Sequence, residues 1–396
     1  MLKRGAFAAA SVAGLVTSAV TSALAAPSRA AEGPLPLPLL PHVPFYPRTA
    51  VPASGRPEPL AVKTRPLNPS YDFRGRTRTL DGFLARSSTL GYLVLHGATI
   101  VDERYFAGFD AASRFNSWSV GKSITATAVG AAVADGRIDS VRDPVTAYIP
   151  ELRRSGYDGV AIRDILQMSS GHDYDETCYT NPFKGATSTT IRMVLGASLT
   201  GQARRARRGF EPGTRWNYDS LNTFVLGWLV AKAAGMPLAA YVRDKIWRPA
   251  GMETPLLMGR DYRGNDIAYG CYHATVRDFA RFGLLYLRDG RAGGVQVVPA
   301  EWIGDATRAA EPHLRPGGLR PDEPDSAENA YGYGYQWWIG DQGDYTAIGI
   351  LGQFVYVSPE HDVVIVKTGQ DLKADIHMAE ALPAFRAVAA AAAGRT

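Results

Sequence analysis

Ser117-Trp118-Ser119-Val120-Gly121-Lys122-Ser123 is the stretch on which the reading turns. From Ser119 onward the apolar residues Val120, Ile124, Val129 and Val133 recur at near-helical spacing, and Gly136 supplies a stop, so a helix is expected from Ser119 to Asp135. Residues three apart on a helix share a face, which sets the Lys122 amine beside Ser119 Oγ. Desolvation can hold such a lysine neutral, and a neutral amine can take the serine proton. A serine at a helix start also sits where the amides and dipole favour an oxyanion. No serine lies in G-x-S-x-G, so the nucleophile elbow of α/β-hydrolases is absent.

Outward from this stretch, Leu90–His96 and Thr99–Phe106, broken by Gly97, read as a β-hairpin preceded by a short helix over Asp81–Arg86. After the Ser119 helix, helical patterns follow at Arg163–Met168, Leu221–Ala234, Leu238–Ile246, Val276–Arg288 and Pro299–Arg308. The pattern then reverts to strands at Tyr333–Ile339, Tyr345–Ile350, Gln353–Val357 and Val363–Thr368, and an Ala-rich helix over Met378–Ala393 closes the chain. The expected fold is α/β of the α+β kind: an antiparallel sheet formed by both chain ends and flanked by helices. An all-helical subdomain, roughly residues 137–310, is inserted between them.

Length and composition agree with one such unit. The chain has 396 residues, 46% hydrophobic and 20% charged, which excludes a coiled coil, a multi-span membrane protein and a disordered chain. Residues 1–25 read as an export signal: Lys3 and Arg4, an apolar run to about Leu24, and Ala23-Leu24-Ala25. The expected product is periplasmic or secreted and keeps no membrane anchor. Residues 26–71 read as a Pro-rich arm, with the folded domain over 72–396. The net charge of +5 rests on eight Lys and 35 Arg scattered among acids, and loss of Lys3 and Arg4 takes it to +3, so nucleic acid is not an expected partner. The densest basic run, Arg204, Arg205, Arg207 and Arg208, reads as a solvated loop that could attract a substrate carboxylate. With no CxxC, no HExxH and seven scattered His, neither a metal nor another cofactor is expected. Cys178 and Cys271 are the only cysteines, and an exported chain could join them in one disulfide.

Two further motifs bear on the Ser119–Lys122 pair. Tyr218, in Asn217-Tyr218-Asp219-Ser220, stands just ahead of a helix, where cationic neighbours could lower its pKa enough to shuttle protons. Ala347-Ile348-Gly349-Ile350-Leu351-Gly352-Gln353 is an apolar strand with two glycines, which suits close backbone approach and an edge N–H as oxyanion donor.

Ser119-x-x-Lys122, then Tyr218-x-Ser220, then the Gly-rich strand before Val355-Tyr356-Val357-Ser358-Pro359 resembles the class C β-lactamase and penicillin-binding-protein superfamily. It is most similar to the branch of esterases and 6-aminohexanoate-dimer (nylon-oligomer) hydrolases. The resemblance also rests on Leu166-Gln167-Met168-Ser169-Ser170-Gly171 and Arg277-Asp278-Phe279-Ala280-Arg281-Phe282-Gly283, and it spans about residues 75–390.

The resemblance implies an acyl-enzyme mechanism in which Ser119 attacks a carbonyl, Lys122 and Tyr218 move protons, and the N–H groups of Ser119 and Ile350 hold the oxyanion. Ser220 replaces the Asn of the β-lactamase Tyr-x-Asn motif. The literal Lys367-Thr368-Gly369 is out of place as the third β-lactamase motif, because register puts the active edge at Ala347–Gly349. Efficient β-lactamase activity is therefore not expected. Substrate contacts are expected from His172, Tyr174, Tyr179, Ser220, His273 and Gly349. Cys178 stands where the oligomer-hydrolase branch has a Tyr that helps bind the leaving amine. The expected activity is cleavage of small carboxylic esters, with amides as the second candidate, by a monomer or homodimer. The alternatives are a D-amino-acid peptidase of penicillin-binding type and a catalytically silent peptide-binding module.

Overall fold

Successive residues of a strand face opposite ways, and in Thr89–His96 both faces are apolar: Leu93 and Leu95 on one, Tyr92 and Val94 on the other, all fully buried. Such a strand needs a layer on each side. A computed structural model of the chain describes residues 46–174, 176 and 185–394. In it this strand sits within an eight-stranded sheet in the spatial order 332–333, 338–339, 345–349, 353–358, 363–369, 89–96, 99–105 and 61–62. Seven of these strands are joined by antiparallel pairings, and Ala61–Val62 adds a parallel pair at the far edge.

Parity continues across the sheet. Leu93, Val355, Val364 and Val366 pack into one apolar cluster with Ile124 and Val129 of the helix that follows Ser119. Tyr92, Phe354, Tyr356, Val363 and Ile365 pack into a second cluster with Phe385 and Val388 of the C-terminal helix Ala374–Ala392. The C-terminal helix is further tied to the first hairpins by the buried Glu380, which accepts from Tyr71 at 2.6 Å and pairs with Arg78 at 2.6 Å.

The expected hairpin and most helices appear within a few residues of their expected ends. Four differences have physical causes. Tyr333–Ile339 is two short strands, Gly332–Tyr333 and Trp338–Ile339, folded on each other through a turn in which Gln336 takes φ +61°. Ser119 lies on a 3-10 turn, Trp118–Val120, and the α-helix proper runs from Gly121 to Ala134. The inserted region is not all helix: Leu256–Gly259 and Tyr272–Ala274 join Arg48–Val51 and Phe115–Asn116 in a second, four-stranded sheet. Since Arg48–Val51 and Ala61–Val62 both pair with the body, part of the stretch expected as an arm belongs to the fold. The expected leader, residues 1–25, lies outside the described residues. Among the described residues no single helix is long and apolar enough to cross a membrane.

Candidate functional site

Two hydrogen bonds tether the stretch around Ser119. Ser117 N–H donates to Tyr272 O at 2.6 Å, fixing the turn to the second sheet. Trp118 takes φ +43°, a conformation costly for a residue with a side chain and characteristic of strained functional turns. Ser123 Oγ donates to Gln336 O at 2.6 Å, and Gln336 Oε1 accepts from Thr223 at 2.6 Å. That one buried glutamine thus clamps the Ser119 helix to the Ser220–Ala234 helix.

The second helix delivers the other groups. Asp219 is its N-cap, with Oδ1 accepting from Leu221 N–H at 2.7 Å and Oδ2 facing His172 Nδ1 at 2.7 Å. Both carboxylate oxygens of Asp219 are occupied, so Tyr218 and Ser220 on either side are fixed in direction. The Tyr218 ring stacks on Trp338 at 5.6 Å and meets Tyr333 edge-on at 6.2 Å.

Lys122 Nζ ends at the convergence of these elements, 2.8 Å from Ser119 Oγ, 2.9 Å from Ser220 Oγ and 3.4 Å from Tyr269 O. It also lies over the Tyr218 ring at 4.9 Å and the Tyr269 ring at 5.6 Å. Only 1% of Lys122 is exposed, and burial brings its pKa down to about 8, with Glu176 and Asp219 pulling the other way. A neutral amine has two N–H donors and one lone pair. If Ser220 and Tyr269 O take the two donors, the lone pair is left for the proton on Ser119.

Glu176 is the residue that sequence reasoning did not single out. Its Oε2 accepts from Ser220 N–H at 3.0 Å and its Oε1 from the Ser220 hydroxyl at 2.6 Å. Burial raises the Glu176 pKa, and Lys122 and Ser220 offset part of that rise. Its partner is 44 residues away in sequence, so no local pattern marks it. Tyr269, which contacts Lys122 through both carbonyl and ring, was missed for the same reason.

The expected site residues divide. Ser119, Lys122, Tyr218 and Ser220 come together. Tyr218 differs from expectation in its ionisation: burial pushes its pKa well up, the neighbouring Ser119 only partly offsets this, and the phenol is therefore neutral in the resting site. Ser220, 6% exposed and bonded to both Glu176 and Lys122, is a link between charged groups and not an open substrate contact. His273 is 1% exposed within the second sheet, with Nδ1 3.2 Å from Cys271 O. His172 is buried between the Tyr157 and Tyr174 rings, and the Tyr174 hydroxyl pairs with Thr189 at 3.0 Å. Tyr179 and Cys178 lie outside the described residues; Cys271 is a free thiol whose pKa burial pushes up to about 12.

The Gly-rich strand closes the site. A Cβ on Gly349 would stand 2.7 Å from Ser117 O and 3.0 Å from Ser119 N, so the strand backbone lies directly against the Trp118–Val120 turn. Of the strand Tyr345–Gly349, Trp338–Ile339 pairs with Tyr345 and Thr346 alone, which leaves Ala347–Gly349 without a strand partner on that side. Ile350 follows at the head of a turn in which Leu351 and Gly352 take φ +62° and +81°, and the residue is 38% exposed. Lys367 is elsewhere: it shares the parity of Ile365, faces the C-terminal helix side, and donates to Ser87 O and Gly352 O, each at 3.2 Å. Among the described residues no group of three or more His, Cys, Asp or Glu could hold a metal ion.

A buried lysine against a serine at a helix start, beneath an antiparallel sheet flanked by helices, defines a serine hydrolase of the β-lactamase and penicillin-binding-protein fold. The chain belongs to the Beta-lactamase family, whose sequence profile matches residues 77–379. It is 32% identical over 304 residues to the 6-aminohexanoate-dimer hydrolase of Paenarthrobacter ureafaciens, covering 74% of this chain and 75% of that protein. Among solved structures it resembles one from Bacillus anthracis named a "putative 6-aminohexanoate-dimer hydrolase", with TM-score 0.78 at 23% identity over 89% of this chain and 93% of the other. It also resembles EstCE1, a hydrolase with promiscuous acyltransferase activity, with TM-score 0.60 at 15% identity over 77% and 95% of the two chains.

Proposed function

We propose that the chain is an exported serine hydrolase that cleaves small carboxylic esters, with amides as the second substrate class, through an acyl-enzyme on Ser119. The observation that carries the reading is Lys122 Nζ, buried and 2.8 Å from Ser119 Oγ, with its pKa down to about 8. In the acylation step neutral Lys122 takes the Ser119 proton as Oγ bonds to the substrate carbonyl carbon. The N–H groups of Ser119 and Ile350 receive the developing oxyanion, each such donor being worth about 3 kcal/mol. The neutral Tyr218 phenol passes its proton to the leaving oxygen or nitrogen and is recharged from Lys122, so that the carbonyl–leaving-group bond breaks without releasing a free anion. Water then attacks the acyl carbon, gives a proton back through the same groups, and frees the acid and Ser119.

The amide class is supported by the relative named a 6-aminohexanoate-dimer hydrolase, because two amino acids condensed head to tail are joined by an amide. The test is hydrolysis of p-nitrophenyl butyrate by the chain lacking residues 1–25, compared with Ser119→Ala. Turnover that the variant loses supports the reading; equal turnover in both sinks it.

A further inference from the structure

Four arginines in a run, Arg204, Arg205, Arg207 and Arg208, play no part in the chemistry above. The structure separates them. Arg208 is occupied within the fold, its guanidinium donating to Gly156 O at 3.3 Å and to Asp158 O. Arg205 and Arg207 instead line a cleft of about 400 Å³, and Arg192, from the helix Gly185–Val194, lines it as well. Among the described residues none of these three guanidiniums takes part in an ion pair, and the cleft wall includes one carboxylate, Asp173. Among the described residues, three arginines therefore border the cleft against one carboxylate-bearing residue. The rest of the polar lining, Ser188, Thr189 and Gln202, adds uncharged hydrogen-bonding groups.

The position of the cleft links it to the reaction. Its inner wall contains Leu221, the residue after Ser220, and His172, whose Nδ1 is held by Asp219. Asn217 Nδ2 donates to Tyr174 O at 2.9 Å, and Tyr174 is also in the wall. Leu221 thus joins the cleft wall directly to the residues 218–220 that meet Lys122, and Asn217 ties the other end of that segment to Tyr174. A guanidinium matches a carboxylate by two parallel N–H donors, and several of them together give a carboxylate a preferred seat.

Resting on the hydrolase reading, we propose that this cleft receives a carboxylate carried by the substrate, so that esters and amides bearing a carboxylate are preferred over neutral ones of equal size. The arginines are exposed, so the attraction is screened by salt and modest in size.

The test compares p-nitrophenyl butyrate with two anionic esters, mono-p-nitrophenyl glutarate and the butyryl ester of 4-hydroxybenzoate, which carry the charge on the acyl and leaving sides respectively. For wild type, KM for at least one anionic ester should lie below that of the neutral ester. In Arg205→Ser/Arg207→Ser that KM should rise about fivefold, the scale of an exposed ion pair, while kinetics on the neutral ester stay unchanged. Arg205→Glu/Arg207→Glu should push it higher still, and 0.5 M salt should shrink the wild-type preference. Ratios that stay put in both variants, with the neutral ester still turned over, overturn the cleft assignment alone. Absence of turnover on all three esters overturns the hydrolase reading and this assignment with it.

Discussion

Glu176 grips Ser220 twice, accepting its backbone N–H at 3.0 Å and its hydroxyl at 2.6 Å, so a carboxylate is fixed one hydroxyl away from Lys122 Nζ. The negative charge favours protonated Lys122 and works against the depression that burial imposes. Glu176→Gln removes that charge and nearly preserves shape. The Lys122 pKa should then fall further, and the acid limb of kcat/KM should move to lower pH by about one unit. A pH–rate profile of the variant checks this, and a limb that stays in place would show that Glu176 does not act on Lys122.

Ser220 is the link in that pair, and Ser220→Ala leaves a buried carboxylate and a buried amine each short of a partner. Groups stranded this way cost about 1–3 kcal/mol. The variant should melt lower and lose about ten- to a hundredfold in kcat, with KM for a neutral ester little changed because the hydroxyl is not open to substrate. A rise in KM at constant kcat would instead make Ser220 a substrate contact.

Gly349→Ala tests the approach of this strand to the Ser119 turn. The added methyl would stand 3.0 Å from the Ser119 nitrogen and 2.7 Å from a backbone oxygen, the latter closer than real contacts allow, so the strand must shift. Overpacking of this kind costs about 1–3 kcal/mol. Activity should fall by more than the stability change explains, since the shift displaces the expected oxyanion donors. Wild-type kcat in this variant would place the oxyanion site elsewhere.

Lys367 offers a test in stability. It is buried against the Phe83 and Phe354 rings and its pKa is brought down to about 8 by burial, with Asp371 opposing. Because the unfolded chain holds this proton up to about pH 10.4, folding is penalised below pH 8 and the penalty fades as pH rises between the two values. Lys367→Met has no such penalty. Its stability relative to wild type, from urea unfolding, should therefore drop by about 2–3 kcal/mol between pH 7 and pH 10. A difference that does not change with pH would show that Lys367 does not titrate in the folded chain near pH 8.

What could be read in advance follows from range. Ser119 and Lys122 are three residues apart, and helical periodicity alone puts them on one face. Tyr218 and the Gly349 strand were legible because each sits at a local boundary, a helix start and a glycine within an apolar run. Glu176 and Tyr269 were not, because what selects them is a contact to a residue far away in the chain. The single strand read over Tyr333–Ile339 failed for a different reason: the fold-back depends on Gln336 in a left-handed conformation, which its side chain does not advertise. The neutral Tyr218 shows the same limit, since its aromatic surroundings, Trp338 and Tyr333, arrive from over a hundred residues downstream. Lys367-Thr368-Gly369 was set aside on register, and the buried position of Lys367 on the other side of the sheet gives the physical ground.

The central claim is that Ser119 carries the acyl group. Reaction of the chain with a fluorophosphonate, followed by intact mass and peptide mapping, tests it most directly. The expected result is a single adduct on the peptide containing Ser119, absent in Ser119→Ala and forming faster as pH rises through about 8, where Lys122 loses its proton. An adduct on another residue, or unmodified protein that still hydrolyses ester, would contradict the account.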